Sequence, residues 1–178
     1  MDGRVTQSVE LLLDDDLDAA VRREWEALLA AGLPSQGRHT GETNRPHITL
    51  TVASSVLPYL EIALKAELTG QLPVPVRLGG VLVFGGRDGR HVLARSVVPN
   101  DELLELQGSC AALWDGQPGV SPQLQPGAWS PHVTLARKVP AEAIGTAIGV
   151  LGEIPELAGN AVAVRRWDSE GRTAWRVG

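Results

Sequence analysis

The sequence predicts an α+β protein built from two sheet-and-helix lobes. Three observations carry that prediction. Strand-like apolar runs alternate along the chain with stretches whose apolar residues recur every three or four positions. Turn-rich junctions, Gly85-Gly86-Arg87-Asp88-Gly89 and Asp168-Ser169-Glu170-Gly171, join neighbouring strands as hairpins. A short motif also occurs twice, as Arg45-Pro46-His47-Ile48-Thr49-Leu50 and as Ser130-Pro131-His132-Val133-Thr134-Leu135. Each copy opens a β-branched apolar run and is followed by a proline and a helix-like segment. A duplicated strand–helix unit with a histidine at the same point of each strand is the economical reading.

The elements follow in order. Residues 4–13, with Val5, Ser8, Val9, Leu11, Leu12 and Leu13, read as a strand. Asp14-Asp15-Asp16 ends it, supplying a helix N-cap and acids in the first turn. Leu17, Val21, Trp25, Leu28 and Leu29 recur at helical spacing until Gly32. A polar loop leads to the first motif strand, 47–53. A second helix spans 58–69, with Pro58 at its start. Strands at 74–84 and 90–98 flank the glycine-rich turn. Asn100 or Asp101 caps a third helix that runs to about Trp114. A loop rich in Pro, Gly and Gln precedes the second motif strand, 132–139. Pro140 starts a fourth helix ending near Leu151 or Gly152, and strands at 161–167 and 173–177 finish the chain.

Composition narrows the function. The 178 residues, 43% hydrophobic and 21% charged, predict one packed domain spanning 1–178. The net charge of −5 argues against a broad basic surface for long nucleic acid. It allows a small phosphate ligand held by local arginines, with Arg38, Arg45, Arg87, Arg90 and Arg137 as candidates. The single cysteine, Cys110, excludes an internal disulfide and a cysteine-built zinc site, and is expected buried on a helix. No apolar run approaches the length of a membrane span and no signal peptide is recognised, so a cytoplasmic protein without membrane association is the expectation.

The chain has four histidines, and two occupy the repeated motif. Strand alternation places His47, Thr49 and Thr51 on one face and Ile48, Leu50 and Val52 on the other. In the second copy His132 and Thr134 oppose Val133 and Leu135. If the two sheets face each other across a cleft, two imidazoles and two hydroxyls converge. That set suits phosphodiester chemistry without a metal. One neutral imidazole takes a proton from the attacking oxygen, and the other, protonated, gives one to the leaving oxygen. Histidine, with an ordinary pKa of about 6.5, supplies both forms near neutrality. Threonine hydroxyls donate to the phosphoryl oxygens as charge develops.

These paired His-x-Thr motifs resemble those of the 2H phosphoesterase superfamily, and within it the 2′-5′ RNA ligase-like, or RNA 2′,3′-cyclic phosphodiesterase, group. The resemblance covers the element order of the whole chain. It includes the second motif extended as His132-Val133-Thr134-Leu135-Ala136-Arg137 and the Phe84-Gly85 turn. It implies a bilobal fold with pseudo-twofold symmetry, two antiparallel sheets facing a central cleft, and helices outside. It implies metal-independent opening of 2′,3′-cyclic phosphates, in some members action on 2′-5′ linkages, and no cofactor. It casts His47 and His132 in acid–base roles that the symmetric motifs themselves do not distinguish; by analogy with the family the second, His132, activates the water and the first, His47, protonates the leaving oxygen. It casts Thr49, Thr134 and Arg137 as phosphate-binding. The implied partner is an RNA 3′ end or small nucleotide, and the expected product a 2′-phosphomonoester. The expected oligomeric state is a monomer.

Other residues have two readings each. Arg137 falls on the apolar face under strict alternation, so phosphate binding there needs a bulge or the strand end; otherwise it makes a surface salt bridge. Trp129 either stacks on a base or anchors its loop. Arg45 either meets a phosphate or solvates the loop end. His39 and His91 lack motif context, and Trp167 and Trp175 fit core or lobe-edge packing. Two other classes compete: a nucleotide-binding module without catalysis, and a metal-dependent hydrolase, the latter disfavoured because no carboxylates stand at ligand spacing beside either motif.

Overall fold

The computed structural model describes residues 6–86 and 88–177. Val5 and Arg87 lie outside the described residues. The elements are β1 (Gln7–Leu13), α1 (Asp15–Ala30), β2 (His47–Ala53), α2 (Tyr59–Leu68), β3 (Val74–Phe84), β4 (Arg90–Val97), α3 (Asp101–Trp114), β5 (His132–Pro140), α4 (Ile144–Leu151), β6 (Leu157–Asp168) and β7 (Thr173–Arg176). The order is the one the periodicity predicts. Two boundaries differ. Pro140 closes β5, and a 3-10 turn, Ala141–Ala143, precedes α4. β6 begins at Leu157, before Gly159 and Asn160, because Leu157–Ala161 pairs with β3 and that ladder overrides their poor strand propensity.

All the ladders are antiparallel. The strand order is β1-β2-β5-β4-β3-β6-β7, and β1 also pairs with β6, so the first six strands form a ring. The expected two sheets are its halves: β2, β1 and β6, with β7 on the edge, and β5, β4 and β3. Between β2 and β5 the halves meet at a single pair, Ile48 with Val133. The duplication is explicit in the topology. The unit β1-α1-β2-α2-β3 is retraced by β4-α3-β5-α4-β6, and each unit lends its last strand to the other unit's sheet.

The helices pack on the outer, apolar face of the ring. Leu17, Val21, Trp25 and Leu28 bury one stripe of α1, and α1 touches β5 and β6. Leu29, on the same periodic pattern, is largely exposed. Leu103, Leu106, Cys110 and Trp114 do the same for α3, which lies on β2 and β3. Burial pushes the Cys110 thiol far above its ordinary range, as expected of an inert core residue. The caps fall where they are predicted. Asp14 accepts from the Leu17 N–H at 3.0 Å, and Asn100 accepts from the Leu103 N–H at 2.8 Å.

Asp14 does more than cap. Its other oxygen accepts the Asn160 backbone N–H at 2.6 Å, tying the start of α1 to β6. Gly159 makes room for this junction, since a Cβ there would lie 2.7 Å from both Asp14 Oδ2 and Leu17 Cγ. Gly159→Ala should therefore destabilise the protein by about 1–3 kcal/mol, as overpacking does. Urea unfolding checks this; a variant as stable as the parent would show that the junction yields freely.

Candidate functional site

The two motifs repeat a local irregularity as well as a sequence. On β2, Thr49 pairs with Glu10 and Thr51 with Val9, so Leu50 is an extra residue. On β5, Thr134 pairs with Ala94 and Ala136 with Leu93, so Leu135 is the extra residue. Each is a β-bulge at the leucine of the Pro-His-x-Thr-Leu motif, and each shifts the alternation by one. Both leucines and the residues after them are buried.

The shift corrects one expectation and supplies the bulge that another required. Thr51 does not share a face with His47 and Thr49: it is fully buried, while Val52 lines the groove. At the equivalent place on β5, Arg137 comes out on the groove side. Strict alternation hides Arg137 in the core; the bulge brings it out, and it borders the groove beside both motif histidines.

His47, Thr49, His132 and Thr134 open to that groove. The Ile48–Val133 pair sets them around one point, because the residues flanking an antiparallel pair lie across from one another. His47 thus falls towards Thr134, and Thr49 towards His132. A cavity of about 1000 Å³ holds His47, Thr49 and Arg137, and an adjoining one of about 500 Å³ holds His132, Thr134 and Arg137.

The proline of each motif explains how the rings are aimed. His47 Nδ1 lies 2.7 Å from the Arg45 carbonyl, and His132 Nδ1 lies 2.8 Å from the Ser130 carbonyl. Each acceptor belongs to the residue before the proline, which proline holds extended. A carbonyl only accepts, so Nδ1 carries the hydrogen in both rings and Nε2 is left for chemistry. The threonine backbones are pinned by two indoles. Trp25 on α1 donates to the Thr134 carbonyl and Trp129 to the Thr49 carbonyl, each at 3.0 Å.

The surroundings of the two rings differ. His47 stands over a buried ion pair. Arg165 Nε donates to Glu10 Oε2 at 2.7 Å, Ser8 Oγ donates to Glu10 Oε1 at 2.7 Å, and that same oxygen is 3.6 Å from His47 Nε2. Burial raises the Glu10 carboxyl, but His47, Arg165 and the two hydrogen bonds outweigh it and hold the group below the usual carboxylate range. At the equivalent ladder position of the other lobe, Thr134 faces Ala94, and Ala94 faces Leu82. His132 instead has the Phe84 ring, centroid to centroid 4.6 Å. Burial pushes the His132 imidazole below the ordinary histidine range. The Ser130 carbonyl opposes the shift, and the positive charges of Arg137 and His47 add to it.

Among the weaker candidates, Arg45 is not brought to the groove. Its guanidinium is bound to Asp18 on α1, Nη2 to Oδ2 at 3.1 Å, and Asp18 also pairs with Arg22. Trp129 packs partly buried against the core while donating to Thr49, which is the anchoring reading. His39 and Arg38 border the larger cavity, as does Trp167, whereas His91 and Arg90 do not. Trp175 lies over Arg166 at the sheet edge, guanidinium to ring centroid 5.5 Å. Glu10 and Arg165 escaped the sequence reading. Their signal was charge set against apolar runs, Glu10 among Val9 and Leu11–Leu13 and the Arg165-Arg166 pair directly after Val162-Ala163-Val164, which demands buried partners. Among the described residues no three His, Cys, Asp or Glu side chains are grouped to hold a metal ion. No helix of the described residues is long and apolar enough to cross a membrane.

Comparison with known proteins agrees with this fold. Solved structures match over nearly the whole chain. The protein TT0787 of Thermus thermophilus has a TM-score of 0.59 at 17% identity, covering 97% of this chain and 95% of that one. Escherichia coli LigT complexed with 3′-AMP has a TM-score of 0.53 at 17% identity, covering 97% and 98%. The same protein complexed with NADP+ gives 0.54 at 19%, covering 96% and 92%. At these identities the likeness is one of fold. No curated protein matches significantly. The family model described as the 2′-5′ RNA ligase superfamily matches residues 14–172, and the chain therefore belongs to that superfamily, among the 2H phosphoesterases.

Proposed function

We propose that the protein is a metal-independent phosphodiesterase that opens 2′,3′-cyclic phosphates of RNA ends or small nucleotides by two-histidine acid–base catalysis. The observation that carries this reading is the groove itself. Two imidazoles, each fixed with Nδ1 on a backbone carbonyl, stand beside two threonines and Arg137, which makes no ion pair among the described residues. That NADP+ and 3′-AMP are bound by a protein of the same fold supports a nucleotide as ligand.

The unequal surroundings of the two rings support one division of roles. His132, whose neutral form is favoured, takes a proton from water as the water oxygen bonds to phosphorus. His47, facing the Glu10 carboxylate, carries the proton that goes to the leaving oxygen. With O3′ leaving, the P–O3′ bond breaks and a 2′-phosphomonoester results; the two histidines then exchange protons with solvent to reset. Thr49, Thr134 and Arg137 receive the charge that grows on the non-bridging oxygens. The same set would act on a 2′-5′ linkage, where the leaving oxygen belongs to the next nucleoside.

The test is turnover of 2′,3′-cyclic AMP in the presence of EDTA, with the product isomer identified. Hydrolysis to the 2′-phosphate is expected, unaffected by chelation. Binding without turnover, on the mononucleotide and on cyclic-phosphate-ended RNA, would overturn the catalytic reading and select a binding module. Activity abolished by EDTA and restored by a metal would overturn the mechanism.

A further inference from the structure

The two halves of the groove differ in size and charge. The smaller half, around His132, is walled by Phe84, Val92 and Leu124, and among the described residues Arg137 is its one charged residue besides the histidine. The larger half, around His47, is bordered by Arg38, Arg137, Arg165 and Arg172, with Glu10 as the one acid among the described residues. Its cavity of about 1000 Å³ far exceeds what a single phosphate needs.

Two of these cations already have work. Arg165 is held by Glu10, and Arg137 adjoins His132 at the reacting position. Arg38 and Arg172 remain. Arg38 ends a 3-10 turn in the loop before β2, and Arg172 sits in the turn between β6 and β7. Among the described residues neither makes an ion pair or a side-chain hydrogen bond. In a chain of net charge −5, two unpaired cations from separate segments bordering one cavity mark an anion site.

We infer that Arg38 and Arg172 form a subsite for a second phosphate, borne on the 5′ oxygen of the nucleoside whose cyclic phosphate is opened. The inference rests on the proposed reaction for its direction. His47 protonates O3′, so the sugar carrying that oxygen lies in the larger half, and its 5′ oxygen enters the same cavity. Trp167, which borders this half, holds the ladder position equivalent to Phe84 in the other lobe: Trp167 pairs with Ser8 as Phe84 pairs with Val92. The second phosphate has two sources with one chemistry: the terminal 5′-phosphate of a mononucleotide, or the internucleotide phosphate next to an RNA 3′ end.

Three substrates separate these sources: adenosine 2′,3′-cyclic phosphate, its 5′-phosphorylated form, and a dinucleotide ending in the cyclic phosphate. The ratio of kcat/KM with and without the second phosphate should be about tenfold, as one or two charge-assisted contacts give. It should be carried mainly by KM and fall to about one in the Arg38→Gln/Arg172→Gln double variant. The larger gain, on the 5′-monophosphate or on the dinucleotide, names the source. Calorimetric binding of adenosine 2′-phosphate and adenosine 2′,5′-bisphosphate is measured alongside. Tighter binding of the bisphosphate, lost in the double variant, supports the subsite whether or not turnover is seen, so its fate is separable from that of the proposed reaction. Equal binding of both, or a preference that survives the double variant, overturns it.

Discussion

Alanine at His47 or at His132 is expected to lower kcat/KM on a 2′,3′-cyclic nucleotide by roughly a hundred- to ten-thousand-fold, the contribution of a positioned acid or base. The two losses should not add, because base and acid serve one displacement; the double variant should be little worse than the poorer single one. Neither change should unfold the protein. Both rings are part-exposed, and their partners, the Arg45 and Ser130 carbonyls, stand where water can replace the imidazole. Thermal unfolding within a few degrees of the parent is the control. A variant that keeps a tenth of the parent's activity would remove its histidine from the chemistry.

Glu10→Ala should have the largest effect on stability. Glu10 and Arg165 are 4% and 5% exposed, and cutting the pair leaves a buried guanidinium with only the Thr43 carbonyl and the edge of His47. Breaking such a pair from one side costs about 3–5 kcal/mol. A carboxyl held below its ordinary value binds fewer protons in the folded chain than in the unfolded one. The pair therefore stabilises the fold above about pH 4.5 and loses that contribution as the pH falls through the depressed value. Urea unfolding of parent and Glu10→Gln between pH 3 and 7 should show the parent's advantage shrinking towards acid. An advantage independent of pH would mean that shape rather than charge holds the site. The Gln variant also lacks the carboxylate 3.6 Å from His47 Nε2, so its turnover should fall as well.

Much of this was legible in the chain. Periodicity and caps located β2, α2, β3 and α3 to within a residue, because their apolar patterns are regular and Pro58 and Asn100 mark the starts of the two helices. The repeated motif located the groove. What alternation could not show was the bulge at Leu50 and Leu135, since a period of two presumes no inserted residue. Thr51 and Arg137 each moved to the opposite face for that reason. Nor could spacing along the chain reveal the Glu10–Arg165 pair, which the β1–β6 ladder brings together. Nor could spacing show that Arg45 pairs with Asp18 on the helix before it. The difference between the two histidines was invisible in symmetric motifs, because it resides in Glu10 and Phe84 on other strands.

The pH dependence of kcat/KM for a 2′,3′-cyclic nucleotide tests that difference most directly. A bell is expected. Its acid limb should have an apparent pKa below the ordinary histidine value of 6.5, because His132 must be neutral to accept the proton and burial favours that form. Its alkaline limb should mark loss of the proton destined for the leaving oxygen. In His132→Ala the acid limb should vanish from the residual activity. A profile flat across neutrality, or an acid limb that persists unchanged without His132, would contradict the assignment of His132 as the base.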